Sequence, residues 1–486
     1  MRLYHYRSID SALKELQGTY HLSAPNELND PLESYVTVFW RGDQPAWEGL
    51  FKNYVASLWQ ALEIYQLAGS RNDIRKGSLV FDIHAWDHVP LGETLSQLEE
   101  TFLMDRDVIR LAEFLGGHEY KLDRKSVTAI LQTLQPKAMY CCISIQKEKM
   151  LLPQQEADQA LEVLSQSVKH QVLQFPEDQE IEEKTLCTVL SAMADAVSGL
   201  VGLMYIHRGL QDEAFLRGAD KRGKISENSV AQRKKQGEEN GSREAQALQE
   251  RNWFYAAFDF PQTYVERMQE ILYPTAYVTC FSRNNNNSAM WGNYADCHRG
   301  ICIEYRIDED NKIPLTDCSY KALEAEPVQY GEGELECNFF TSLGRLTYSQ
   351  IKTWLTGKHD TSTLMQTYTA EDQYTDKYWE IAKLKTLHKT SEWAYEQEYR
   401  ISVIDSLDML REPGRRNVSY DPKVLTGIIF GIKTSEYDKM QILRAVINHG
   451  RYGDVTFYQA EYDDQTRKIV IRKRGWAKLL SDHRPQ

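Results

Sequence analysis

Three stretches of the chain concentrate side chains capable of chemistry beside strand-like runs. The first is Tyr4-His5-Tyr6-Arg7-Ser8, followed by Asn26 and Asn29-Asp30-Pro31-Leu32-Glu33. The second runs through Cys280-Phe281-Ser282-Arg283 and Met290-Trp291-Gly292-Asn293-Tyr294-Ala295-Asp296 to His298-Arg299-Gly300. The third, Trp393-Ala394-Tyr395-Glu396-Gln397-Glu398-Tyr399-Arg400, opens the apolar run ISVI. By residue type alone, paired carboxylates move protons or stabilise developing positive charge, an arginine fork grips oxyanions, and aromatic faces stack on planar ligands.

The elements that must position these groups come from two kinds of periodicity. LYHYR is a short strand, and Ser8 or Asp10 caps a helix over SIDSALKELQ. HLSAP then reads as a strand, NELNDPLE as a turn and SYVTVFW as a further strand. From about Pro45 to Gln262 apolar residues recur at helical spacing, as in residues 54–68, 95–115, 157–175 and 182–207. The polar stretch 217–251 reads as a mobile loop or an exposed helical hairpin. Strand signals return with AYVTCFS, GICIEYRI, PVQY, EYRISVI, LTGIIFGI and DVTFYQAEY, alternating with helical stretches at 374–389 and 435–450. The expected fold class is α+β: a discontinuous α/β unit, residues 1–40 and 263–486, interrupted by an all-helical insertion over 41–262.

Composition narrows the function classes. The chain has 486 residues, 57 basic against 70 acidic side chains, and a net charge of −13. With 42% hydrophobic and 26% charged residues it is neither disordered nor a disulfide scaffold. No run of eighteen apolar residues and no signal-like h-region occurs, so the expectation is a soluble, cytoplasmic protein with no membrane partner. The acidic balance disfavours sequence-independent nucleic-acid binding, apart from basic stretches at 216–236 and 466–478. Among eight cysteines no C-x-x-C pair occurs, so Cys280, Cys297, His298 and Cys302 read as buried thiols and a neighbour rather than a zinc site. His84 and His88 have helical metal spacing, but Ala85 and Pro90 argue for a surface feature. No Walker A loop, G-x-G-x-x-G fingerprint or G-x-S-x-G elbow is present.

The three blocks, in this order, resemble the bacterial domain-of-unknown-function family 2971. Its members look like "L-Y-x-Y-R-S", "N-D-P-x-E", "C-F-S … M-W-x-x-Y-A-x-x-H-x-G-I-C-I" and "W-x-Y-E-x-E-Y-R", closing with an "I-I-x-G" strand, here Ile428-Ile429-Phe430-Gly431. The resemblance covers about the first forty and the last two hundred residues, and it implies bacterial defence against phage. The order of blocks is also similar to that of ADP-ribosyltransferases, which implies an enzyme that splits NAD and moves ADP-ribose onto a protein or nucleic-acid acceptor. Under that likeness Glu398 stabilises the oxocarbenium-like state from beside the ribose, and Glu396, two residues earlier on an extended segment, positions the acceptor. Arg7 holds the diphosphate, Ser282 orients the carboxylate or the ribose, and Trp291 or Tyr294 stacks on nicotinamide. A second class of transferase would instead use His5, Tyr294 and Glu398. Asp30, His298 and Arg400 complete the candidate set, and Glu398→Gln is expected to abolish activity with the fold intact. The helical insertion would recognise the target or carry a regulatory partner, an antitoxin or a phage trigger.

Each residue also has a plainer role. Tyr4 and Tyr6 share a strand face that packs, leaving His5 and Arg7 on the other, where an arginine pairs with a surface carboxylate. Asp30 caps a turn, Met290, Trp291 and Tyr294 fit a core at helical spacing, and His298 is a cation at a helix end. Glu396 and Glu398 could pair with Lys385, Lys389 or Arg400. Two rival functions follow. A metal-dependent nuclease would gather Asp30, Glu33, Glu304 and Glu398 around a divalent ion. A non-catalytic sensor would show a closed site, filled by Trp291 and Tyr294, with Glu398 bound to a basic side chain.

Overall fold

The computed structural model describes residues 1–30, 36–68, 92–118, 120–148, 251–308, 310–316, 322–331, 335–369, 371–450, 454–475 and 452, with 71, 73, 185–186, 188–190, 192 and 248. The helices expected over 157–175 and most of 182–207, the stretch 217–247, His84, His88, Glu33 and the basic run 216–236 lie outside the described residues.

The strands in chain order begin with β1 (Arg2–Arg7), β2 (Thr19–His21), β3 (Thr37–Phe39), β4 (Thr275–Ser282) and β5 (Ile301–Arg306). There follow β6 (Lys312–Pro314), β7 (Ala322–Pro327), β8 (Gln329–Tyr330), β9 (Glu336–Asn338) and β10 (His388–Lys389). The last are β11 (Glu398–Asp405), β12 (Asn417–Ser419), β13 (Leu425–Phe430), β14 (Thr456–Asp463) and β15 (Lys468–Lys473). The helices used below are α1 (Ile9–Glu15), α2 (Gln44–Ala68), α3 (Gly92–Leu103), α4 (Arg106–His118) and α5 (Arg124–Glu148). To these are added α6 (Phe260–Met268), α7 (Ser288–Tyr294), α8 (Tyr348–Trp354), α9 (Glu371–Leu387) and α10 (Glu436–His449).

The chain divides into two compact units. The first comprises Met1–Val36, Pro274–Leu335 and Trp379–Gln486. It is mixed α and β, built on a nine-stranded sheet in the order β15-β14-β13-β5-β1-β4-β11-β7-β6. β1 lies near the middle because its residues bury on both faces, pairing antiparallel with β4 and β5. Alternation sends Leu3 into one core with Phe281, Ile303, Tyr305 and Ile401, and sends Tyr4 and Tyr6 into another with Met290, Trp291 and Cys302. β13, LTGIIF, is almost wholly buried, runs antiparallel to β5 and is parallel to β14 through α10. Ser435 caps α10 by accepting from Asp438 N, and Gly450 at φ 64 ends it. Ser8, rather than Asp10, caps α1 by accepting from Ser11 N. The basic stretch 466–478 supplies β15, whose charged side chains protect a sheet edge.

The second unit comprises Thr37–Tyr273 and Glu336–Tyr378, with α2 packed against α3, α4 and α5, and α6 against α5. Residues 336–378, read from sequence as part of the α/β unit, cluster here. β9 pairs with β3, Phe339 stacks on Trp40, and α8 packs on α2. Among the described residues no helix is long and apolar enough to cross a membrane.

Candidate functional site

The site lies in the α/β unit, at the start of β11. A 3₁₀ turn, Ser391–Glu396, brings Glu396 to its end, and Gln397 then adopts a left-handed conformation at φ 45 before Glu398 opens the strand. Glu396 and Glu398 are therefore not neighbours along an extended segment. Their carboxylates meet because Lys389 bridges them: Nζ donates to Glu396 Oε2 at 2.7 Å and to Glu398 Oε2 at 3.3 Å. Tyr294, at the end of α7, donates its hydroxyl to Glu396 Oε1 at 2.5 Å. Ser282, opposite Glu398 across β4 and β11, donates to the Glu396 carbonyl at 2.6 Å and accepts from Asn284 N. It fixes the turn that presents Glu396 rather than touching either carboxylate.

Arg400 is fully buried and forks onto Glu398, with Nε to Oε1 at 2.8 Å and Nη2 to Oε2 at 3.0 Å. Its third donor reaches the Thr386 carbonyl in the last turn of α9, and buried Asp30 adds an attractive charge. Burial nevertheless lowers the guanidinium to about 10, against that attraction. Burial pushes the Glu398 carboxyl up to about 7 and Glu396 adds to the rise, while Lys389 and the Cys280 thiol pull it down. For Lys389 burial alone would lower the ammonium, but Glu398 and Glu396 hold it above its ordinary value. Burial and the Glu396 hydrogen bond together raise the Tyr294 phenol.

Arg7 and His5 are not part of this cluster. Ser282 and Glu398 share a sheet face with Tyr4, and the odd-numbered residues of β1 point to the other face. There Arg7 Nε binds Glu15 Oε2 at 2.7 Å, His5 Nδ1 meets Glu15 Oε1 at 2.8 Å, and Tyr305 OH donates to Glu15 at 2.6 Å. Burial alone would raise the Glu15 carboxyl, but His5, Arg7 and Tyr305 hold it down to about 2. Neither an Arg7–Ser282–Glu398 nor a His5–Tyr294–Glu398 constellation is assembled, because an odd and an even strand position cannot share a face.

Trp291 is fully buried, edge-on to Tyr6 at 5.1 Å, with its indole N–H on the Asn285 carbonyl; it is core, not a stacking platform. His298 stands in a left-handed run, Asp296, Cys297 and His298 at φ 44, 51 and 71. Its N–H donates to the Trp291 carbonyl and its own carbonyl accepts from Lys433 N, while burial and the Lys433 charge lower its imidazole. It serves the turn, not the carboxylates. Cys302 is buried, Cys280 faces Glu398, and Cys297 is exposed, contrary to the expectation of a buried thiol. Among the described residues no three His, Cys, Asp or Glu side chains gather to hold a metal. Glu304 is tied instead to Thr426 at 2.8 Å and to Arg2.

Two contributors escape a sequence reading. Lys389 reads there as a surface partner, but β10 pairs in parallel with β8, setting buried Lys389 beside half-buried Tyr330 near the turn. Tyr330 OH accepts from Glu398 N at 2.7 Å. The only sequence trace of this was PVQY as a strand.

Residues 290–401 match the model of the family described as Protein of unknown function (DUF2971), which bears out the family resemblance over that stretch. The matched span holds Tyr294, Lys389, Glu396, Glu398 and Arg400. No curated protein and no solved structure matches the chain.

Proposed function

We propose that the α/β unit is an enzyme that splits the N-glycosidic bond of NAD, transferring ADP-ribose or releasing it to water, as an effector of bacterial defence against phage. The supporting observation is the convergence of Ser282, Tyr294, Glu396 and Glu398, from separate blocks, into one hydrogen-bonded cluster. Such a pair suits an oxocarbenium-like reaction, since one carboxylate stays charged to stabilise the developing cation while the other handles a proton. The carboxylates of Glu396 and Glu398 share these parts between them, with Tyr294 holding Glu396 in place. Arg7 and His5 have no role in NAD binding under this reading. The acceptor is a protein or a nucleic acid, and a phage trigger or antitoxin controls the activity.

A non-catalytic sensor is the second reading, favoured by the Arg400 fork that occupies both oxygens of Glu398 and by Trp291 in the core. A groove of about 580 Å³ lies in the helical unit among Tyr348, Tyr368, Tyr374 and Asp376, none of which belongs to the cluster.

Labelled-NAD consumption, with and without extract from phage-infected cells, separates the two. The transferase reading expects turnover that falls about 100-fold in Tyr294→Phe and in Glu396→Gln. Calorimetry and turnover that both stay silent under every condition would sink it. Glu398→Gln is the poorer probe, against the expectation of an intact fold. Stripping buried Arg400 of its carboxylate costs about 3–5 kcal/mol of stability.

A further inference from the structure

The groove of about 580 Å³ in the helical unit has no part in the carboxylate cluster. Its volume falls within the roughly 300–1,000 Å³ of sites that enclose whole small molecules. Stretches close together in the chain build it. A capping box, in which Thr347 accepts from Gln350 N and Gln350 accepts from Thr347 N, sets the first turn of α8. That turn places Tyr348 at the rim, 56% exposed, with buried Ile351 one turn on. Tyr368, from the short helix Gln366–Thr369, and Tyr374, from α9, meet with ring centroids 4.7 Å apart. Gly344 lets the loop before α8 close on them, since a Cβ there would stand 2.6 Å from the Tyr374 hydroxyl and from the Tyr378 ring.

The chemistry of this lining selects a class of ligand. Tyr368 donates its hydroxyl to the Phe340 carbonyl at 2.8 Å and accepts from Leu343 N at 3.0 Å, so its polar end is engaged by the backbone. The Tyr374 hydroxyl is crowded against Gly344. What the two residues offer the groove is ring surface, whose faces carry partial negative charge. Among the described residues the one charged side chain lining the groove is Asp376, which is exposed. Arg345, Lys352 and Lys377 adjoin lining residues in sequence, but none of them lines it. An anion would therefore meet a carboxylate and no cationic donor. A neutral sugar would leave the carboxylate uncompensated. A cationic nitrogen with apolar substituents suits both the rings and the carboxylate.

We propose that this groove binds a small organic cation of the substituted-ammonium class, seated among Tyr348, Tyr368 and Tyr374 with its charge compensated by Asp376. The site is independent of the NAD reading, and its test reads no turnover.

The full-length chain is titrated by calorimetry and saturation-transfer NMR with choline and with its uncharged analogue, in which carbon replaces the ammonium nitrogen. Choline is expected to bind at least about tenfold more tightly than the analogue, because the two differ in charge and not in shape. Asp376→Asn and Tyr348→Leu change exposed side chains, so thermal melts of both variants should match the native chain. Each should weaken choline about three- to tenfold, and Asp376→Asn should leave the uncharged analogue unaffected. Equal affinity for the two compounds overturns the proposal, as does unchanged choline binding in both variants. So does an absence of binding by both choline and the bulkier benzyltrimethylammonium ion. A lysine-containing peptide that binds more tightly than either free cation would assign the groove to a protein partner and overturn the small-molecule reading.

Discussion

Single side chains in this protein are understood by the face of the sheet they occupy. On β1 the peptide alternation sends Arg7 and His5 to Glu15 and sends Tyr4 and Tyr6 toward α7. The Glu15 cluster behaves as an anchor for α1, and its pH dependence has a definite sign. The folded carboxyl, at about 2, is depressed below its ordinary value of 4.5. Its contribution is therefore present above the ordinary value and is lost as pH falls through the folded one. His5 is lowered by burial and by Arg7, so near neutrality it is uncharged, and Arg7 and Tyr305 supply the remaining attraction. Glu15→Gln is expected to cost about 2–3 kcal/mol at pH 7 and little near pH 2. Urea denaturation across that range checks it, and equal losses at both ends would remove Glu15 from the account. The cluster around Glu398 has the opposite sign, because there burial outweighs attraction.

At the scale of elements, the link between α7 and β5 carries the most unusual backbone. Asp296, Cys297 and His298 are left-handed in succession, a conformation that costs a non-glycine residue about 1 kcal/mol or more. The run is held by the Cys297 N–H on the Gly292 carbonyl and the His298 N–H on the Trp291 carbonyl. Two glycines then allow backbones to touch. A Cβ on Gly300 would run into the Arg7 carbonyl, and one on Gly431 into the His298 carbonyl. Exposed Cys297 changed to Gly should therefore gain about 0.5–1 kcal/mol, whereas Gly300→Ala should lose more than 2 kcal/mol. Thermal melts of the two variants against the native chain decide this, and a neutral Gly300→Ala would show that β1 and β5 can part without penalty. The same link ties α7, and with it Tyr294, to the end of β13 through Gly431 and Thr434, which bond the Gly300 carbonyl.

The whole molecule is a chain that alternates between two units, three segments in one and two in the other. Consequently the central strand β1 finds its partners about three hundred residues later, at β4 and β5. Such non-local pairing makes folding slow and leaves the sheet's centre open until the later strands exist. Removing residues 1–7 should therefore abolish soluble folded protein, while removing the edge strand β15 from Lys468 onward should leave a folded chain of lower stability. Size-exclusion chromatography with circular dichroism distinguishes them. A soluble, native-like product lacking β1 would contradict the pairing order.

Much of the α/β unit was legible in the sequence, because strands such as LYHYR, AYVTCFS, GICIEYRI and LTGIIFGI carry their own alternation or apolar runs, and Ser435 and Gly450 mark the limits of α10. The family blocks likewise singled out Ser282, Tyr294, Glu396, Glu398 and Arg400, which do meet. The sequence could not decide the partners. That Arg7 serves Glu15, that Gln397 turns left-handed, that Lys389 lies buried between two carboxylates and that 336–378 joins the helical unit all depend on pairings between distant segments. Local propensity has no term for such contacts. They exist only once β8 lies beside β10, β3 beside β9, and β1 between strands from the far end of the chain.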